Sequence, residues 1–184
     1  MKCIVWNMDY WKSSQKEQGW EYLNSVDPDI CLLNECSRHA SQEFSIHNIS
    51  RNGWGVGVFS KHELDELKFQ KCHPDAIACG QITFGNRTIT AISLYGKIID
   101  KYAITTLHRS LSDLTHLFIR KELRDWMLIG GDFNADVAID ENQRGNSHHI
   151  FFERLKDFGF YDCIRKFHGE RMQTLRHSKS SFPW

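Results

Sequence analysis

Several short apolar runs in this sequence end in a polar residue equipped for chemistry. Cys-Ile-Val-Trp ends in Asn7, Ile-Cys-Leu-Leu-Asn in Glu35, and Ala-Ile-Ser-Leu in Tyr95. Met-Leu-Ile-Gly-Gly ends in Asp132, with Phe133 and Asn134 behind it. Ligand sites in α/β sheets lie beyond the carboxyl ends of the strands. If these strands share a sheet with matching directions, Asn7, Glu35, Tyr95, Asp132 and Asn134 converge. Asp132 and Asn134 are two apart, so in extended backbone both point one way while Phe133 points into the core. Two carboxylates with amide and phenol groups, and no soft ligand beside them, make a hard-oxygen site. That suits Mg²⁺ or Mn²⁺, which take few carboxylates and keep water and phosphate oxygens as further ligands. Hydrolysis of a phosphate ester needs a cation on the phosphate oxygens and a group that orients water. Glu35 would hold the metal and Asp132 would position the water. Singly, a carboxylate at a strand end is usually a solvated turn residue, Asn7 a turn former and Tyr95 a rim aromatic. The case rests on their recurrence at one structural position.

The elements that must position them are legible as short runs. Cys3–Trp6, Ile30–Leu33, Trp54–Phe59 and Trp126–Ile129 read as strands. Asp27-Pro28-Asp29 announces the second of these as a turn. The Gly alternation of the third suits a strand approached closely by another backbone. Gln81–Phe84 and Arg87–Leu94 flank Gly85-Asn86, a two-residue hairpin loop. Helical spacing covers Ser13–Val26, with Trp20, Leu23 and Val26 on one face. It also covers Ala103–Trp126, with Ile104, Leu107, Leu111, Leu114, Leu117 and Phe118 in one stripe. A third helix is predicted from Ser147, as N-cap, to Phe158, with Gly159 as its stop. There His148-His149 reads as a solvated helix start. The order is that of a mixed α/β chain with a βαβ crossover at each end of the hairpin region.

The chain has 184 residues, 41% hydrophobic and 25% charged, with 12 Phe, 6 Trp and 5 Tyr. That is enough for a core and argues against disorder, and a single domain over residues 1–184 is expected. Lys+Arg and Asp+Glu both number 23, which excludes a broadly cationic surface but leaves a local basic patch open. The six Cys are scattered without a CxxC, and Cys72, His73 and Cys79 fit no common zinc spacing. An intracellular, reduced, cytoplasmic protein is expected. The apolar run after Lys2 is too short for a signal peptide, and no run reaches the ~20 residues of a membrane span.

Val5-Trp6-Asn7, Pro28 through Glu35, Gly55 through Lys61 and Ile129 through Asn134 occur in an order that resembles the endonuclease/exonuclease/phosphatase family. The resemblance runs from residue 3 to the C-terminus. It implies a deoxyribonuclease-I-like fold, a four-layer α/β/β/α sandwich, and a metal-dependent hydrolase of phosphodiesters or phosphomonoesters. By motif, Asn7 and Glu35 resemble the metal-site pair, with Glu35 the direct ligand. Asp132 and Asn134 resemble the residues that orient nucleophile and phosphate. Tyr95 resembles a Tyr or His that contacts the phosphate, so Asn7, Tyr95 and Asn134 form the implied phosphate-binding set. Thr174 resembles a family Thr before the last strands.

One departure stands out. The family ends in a strand followed by Asp-His, and these 184 residues contain no Asp-His dipeptide. His108, His148, His149 and His177 all lie in other contexts. The expectation is a chain truncated before its last strand, with hydrolase activity weak or absent. The family resemblance does not choose a substrate. Arg165, Lys166, Arg171, Arg176 and Lys179 could meet phosphates, and Trp11, Trp54 and Trp184 could stack on bases. Nucleic acid is the expected substrate. A phosphomonoesterase on a small or lipid phosphate, and a catalytically silent binding module, stand as the alternatives.

Overall fold

The apolar run Cys3–Trp6 builds β1 (Cys3–Asn7), and the turn at Asp27–Asp29 restarts the chain as β2 (Ile30–Cys36). Between them lies α1 (Lys16–Val26), whose Trp20 and Leu23 are buried. The computed structural model describes residues 1–10, 16–39, 44–100, 102–124, 126–143 and 145–169. The chain divides into two compact units, Met1–Asn134 and Ala135–Trp184.

The first unit holds two sheets. One has the order β1-β2-β4-β3, where β3 is Phe44–Ile49 and β4 is Gly55–Ser60. The other has the order β5-β6-β7-β8, with β5 Leu64–Glu66, β6 Ile77–Phe84, β7 Arg87–Leu94 and β8 Met127–Gly130. β1 pairs with β2 in parallel across α1. β7 pairs with β8 in parallel across α2 (Ile104–Phe118) and α3 (Lys121–Arg124). Both predicted crossovers are present. The hairpin is present too, with Phe84 opposite Arg87 and Gly85 at φ 61°.

Ile30 and Leu32 of β2, Val56 and Val58 of β4, and Ala78, Ile82, Ile89 and Ala91 of the second sheet form the core between the sheets. The alternate residues Cys31, Leu33 and Phe59 face outward against Trp20 and Leu23 of α1. On the second sheet Ile77, Cys79, Ile92 and Leu94 are fully buried, and every residue of the predicted α2 stripe is buried. The layers of this unit are helix, sheet, sheet, helix, as the family resemblance implies.

Several elements differ from the sequence reading. β3 breaks its apolar pattern with Ser45, His47 and Asn48 because it is an edge strand with one paired side. β5 has only three residues, too few for a period to show. The helix predicted to run to Trp126 stops at Phe118, and Trp126 is exposed with Arg87 over its ring at 4.4 Å. The close backbone approach read from the β4 glycines holds at Gly55, where a Cβ would strike the Asn48 carbonyl of β3. Cys79 is fully buried in β6 while Cys72 is exposed, so the two do not share a zinc site. Among the described residues no helix is long and apolar enough to cross a membrane.

The second unit contains α4 (Val137–Gln143), α5 (Ser147–Asp157) and α6 (Cys163–His168). Ser147 is not the N-cap of α5. That position is Asn146, and the Asp140 carboxylate accepts the backbone N–H groups of His148 at 3.2 Å and His149 at 2.7 Å. His148 is buried rather than solvated. Gly159 follows α5 at φ 88°, as predicted. Thr174, His177, Arg171, Arg176, Lys179 and Trp184, and also Trp11, lie outside the described residues.

Candidate active site

The strands carrying the predicted residues do not share one sheet. β1 and β2 belong to the first, β7 and β8 to the second. They converge because each parallel pair ends level. Asn7 lies opposite Asn34, and Ser93 opposite Gly130, so Tyr95 and Asp132 each follow two residues beyond their last pair. The facing sheets then bring the two ends together.

Asn34 makes that junction. It is fully buried and stands on the same face of β2 as Ile30 and Leu32. Its Nδ2 donates to Ser93 Oγ at 3.2 Å, and the Ser93 hydroxyl donates to the Leu33 carbonyl at 2.9 Å. Its Oδ1 accepts the backbone N–H of Asp132. The sequence reading gave Asn34 no role, although a polar residue at period two from core positions was a usable signal.

Period two would send the Glu35 side chain to the α1 face with Cys31 and Leu33. Instead the β2–β4 register slips between Asn34 and Cys36, and Glu35 sits in the bulge at φ 46°. This left-handed backbone turns its carboxylate so that Oε1 accepts the Tyr95 hydroxyl at 2.7 Å. Tyr95 is buried between the sheets, its ring edge-to-face with Trp54 at 6.0 Å. Burial, then the Glu35 hydrogen bond and charge, then the charge of Asp132, push the Tyr95 hydroxyl pKa well above the ordinary phenol range. Trp54 is itself buried, so it packs against the site rather than presenting a face to bases.

Asp132 is reached through Gly130-Gly131. Gly131 takes φ 148°, and a Cβ there would collide with the Leu94 carbonyl. Asp132 Oδ2 accepts Asn7 Nδ2 at 2.8 Å, and Asn7 Oδ1 accepts the Asp9 N–H at 2.9 Å. Asp132 and Asn134 are not in extended backbone. The Asn134 N–H donates to Asp132 Oδ1 at 3.1 Å and Asn134 takes φ 47°, an Asx-type turn. Asn134 Nδ2 reaches the Gly96 carbonyl at 3.1 Å. Phe133, expected in the core, is only half-buried, because the strand has already ended at Gly130.

The five predicted residues fall into two hydrogen-bonded groups, Asn7–Asp132–Asn134 and Tyr95–Glu35, with the Asp132 charge acting on the Tyr95 hydroxyl. Among the described residues no group of three His, Cys, Asp or Glu is placed to hold a metal. Glu35 and the Asn7 amide oxygen are hard-oxygen donors of the kind Mg²⁺ or Mn²⁺ takes, with water and phosphate as its remaining ligands.

The sequence profile of the Endonuclease/Exonuclease/phosphatase family matches residues 20–169. No curated protein sequence matches the chain. Among solved structures, an AP endonuclease from Archaeoglobus fulgidus is similar with TM-score 0.67 and 19% identity, covering 97% of this chain and 78% of that one. The endonuclease domain of TRAS1, a telomere-specific non-LTR retrotransposon, gives TM-score 0.62 and 16% identity over 85% of this chain and 70% of that one. D. rerio TDP2 complexed with single strand DNA product gives 0.57 and 18% over 79% and 65%. These neighbours share the two-sheet deoxyribonuclease-I-like fold. By its sequence profile and by this fold, the chain belongs to the endonuclease/exonuclease/phosphatase family.

Proposed function

We propose that this chain is a divalent-metal-dependent phosphodiester hydrolase whose substrate is DNA or RNA. The observation that supports the reading is a pair of hydrogen bonds, Tyr95 to Glu35 and Asn7 to Asp132, each joining the two sheets at the carboxyl ends of their strands. The structural neighbours, two endonucleases and a complex with a DNA product, support nucleic acid.

Glu35, with one oxygen on the Tyr95 hydroxyl, and the Asn7 amide oxygen would hold Mg²⁺ or Mn²⁺. Such a cation supplies charge to the phosphate oxygens as the transition state forms. Asp132 is fixed by the Asn7 amide and the Asn134 N–H, so its carboxylate is oriented to accept a proton from the attacking water. Asn7, Tyr95 and Asn134 line the approach for the phosphate. The raised Tyr95 pKa keeps that phenol a hydrogen-bond donor at every physiological pH.

The test is a panel of plasmid DNA, RNA, abasic duplex and inositol phosphates, each with Mg²⁺ and with EDTA. Weak metal-dependent cleavage of a nucleic acid that disappears in Glu35→Gln is expected. Turnover of inositol phosphates alone would replace the reading with a phosphomonoesterase. Nucleic-acid binding without any turnover would replace it with a binding module.

A further inference from the structure

The chain leaving β7 turns at once beside the candidate site. The Lys97 N–H donates to the Tyr95 carbonyl at 2.9 Å, a three-residue turn with the buried Gly96 at its centre. The two peptide groups that flank Gly96 hold the Asp132 loop at two points. The Gly96 N–H donates to the Asp132 carbonyl at 2.8 Å, and the Gly96 carbonyl accepts Asn134 Nδ2 at 3.1 Å. A Cβ on Gly96 would strike the Phe133 carbonyl, so only glycine lets the two backbones come this close. The position of Gly96 therefore sets the orientation of the turn from Asp132 to Asn134.

Three contacts hold Gly96 in place from outside. The Tyr95 N–H donates to the Ala76 carbonyl at 2.9 Å. The Lys97 carbonyl accepts the hydroxyl of Thr106, a buried residue of α2, at 2.8 Å. Lys97 Nζ is ion-paired with Oδ2 of Asp75, the residue before Ala76. The side chains of that pair are 29% and 17% exposed, against 52% and 64% in the surface pair Arg120–Glu122. Shielding from water strengthens the attraction, so this pair restrains the backbone where an open pair would not. Neither Lys97 nor Asp75 is among the groups assigned above to metal, water or phosphate.

We propose that Lys97 and Asp75 are positioning residues, their ion pair fixing the Tyr95–Lys97 turn and, through Gly96, the orientation of Asp132 and Asn134. The restraint rests on these contacts alone. Its part in the reaction rests on the phosphodiesterase reading above. Displacing a reacting group by about 1 Å can cost about a hundredfold in rate, even when the altered residue touches no substrate.

The experiment compares the wild type with Lys97→Met, Asp75→Asn, the double variant and Lys97→Arg. Hydrogen exchange of the ¹⁵N-labelled chain reads the restraint whether or not the chain cleaves anything. Cleavage of the nucleic acids in the panel above, with Mg²⁺, reads its part in the reaction. In Lys97→Met the Gly96 N–H should exchange about tenfold faster or more, and the Asn134 side-chain amide signals should shift, while the β7 amides keep their protection. Asp75→Asn should do the same, the double variant no more than either alone, and Lys97→Arg should stay close to the wild type. In Lys97→Met kcat should fall about 10- to 100-fold with KM within about twofold, and Lys97→Arg should recover the rate. Unchanged Gly96 exchange and Asn134 signals in Lys97→Met would overturn the restraint. So would an equal loss of protection in β7, because the pair would then serve global stability alone. A loosened turn with an unchanged kcat, or a loss confined to KM, would overturn the positioning of Asp132 and Asn134 for the reaction. A wild-type chain that cleaves nothing would overturn the phosphodiesterase reading and that positioning with it, while the restraint stands or falls by exchange.

Discussion

Asn34 and Asp132 meet across the two sheets, the side-chain oxygen of one accepting the backbone N–H of the other. One amide thus fixes the start of the Asp132 loop while its chain neighbour Glu35 supplies the other carboxylate. The second hydrogen bond of Asn34, to Ser93, ties the same amide to β7. Asn34→Ala should destabilise by about 1–3 kcal/mol, because it leaves the Asp132 N–H without its acceptor while the Ser93 hydroxyl keeps its bond to the Leu33 carbonyl. Ser93→Ala in that background should add less than it does alone. Additive effects in a urea double-mutant cycle would mean the two side chains act independently.

Tyr95→Phe removes the donor to Glu35. Metal-dependent activity should fall about 10- to 100-fold, the size seen when a ligand loses its supporting partner. The pH dependence has a definite sign. The unfolded phenol ionises near pH ~10, and the native one ionises higher. The contribution of Tyr95 to stability is therefore complete below that pH and is lost as pH rises through the native value. Unfolding free energy should fall less steeply above pH ~10 in Tyr95→Phe than in the wild type. Equal slopes would show that Tyr95 titrates normally.

Asp132→Asn turns one oxygen into a donor that opposes either the Asn7 amide or the Asn134 N–H. Turnover should drop about 10²- to 10⁴-fold, as for loss of a proton acceptor. The pair Asn7→Asp with Asp132→Asn should restore the hydrogen bond and the melting temperature but not the rate. Recovery of the rate would mean the charge matters at either position. Phe133→Ala, at a half-buried site, should lose about 1–2 kcal/mol rather than the 3–5 of a core aromatic.

Gly131→Ala should abolish activity and lower stability, because φ 148° and the Leu94 carbonyl both exclude a Cβ. Gly85→Ala, whose Cβ would meet open space, keeps only the φ penalty and should remain active. Equal loss in the two variants, read by melting and by turnover, would assign the effect to backbone conformation alone.

The cysteines should react in a fixed order with a disulfide reagent. Burial pushes the Cys31, Cys36 and Cys79 thiols up to about 12, so they should label only on unfolding. Cys163 and Cys72 are exposed. Cys72 should lag, because its thiol donates to Asp113 at 3.4 Å and that carboxylate raises its pKa. Rapid labelling of Cys79 in the native chain would contradict its place in β6.

Short apolar runs, the Gly alternation of β4, the Gly85-Asn86 turn and a period-3.6 stripe determined β1, β2, β4, the β6–β7 hairpin, β8 and the apolar face of α2, because a buried element must be apolar wherever it meets the core. They also determined that Asn7, Glu35, Tyr95 and Asp132 each lie at or just beyond the end of a strand, since apolar runs must end where the core ends. The tertiary structure decided the rest. Two facing sheets, not one, bring those ends together, and no local pattern encodes which sheets face. The bulge that turns Glu35 toward Tyr95 is a register event between β2 and β4, set by pairing rather than by the residues of β2. Asn34 acquires its role only because Ser93 and Asp132 arrive opposite it from another sheet. Edge strand β3 and the short helices α4 and α6 bury too little to leave a periodic trace.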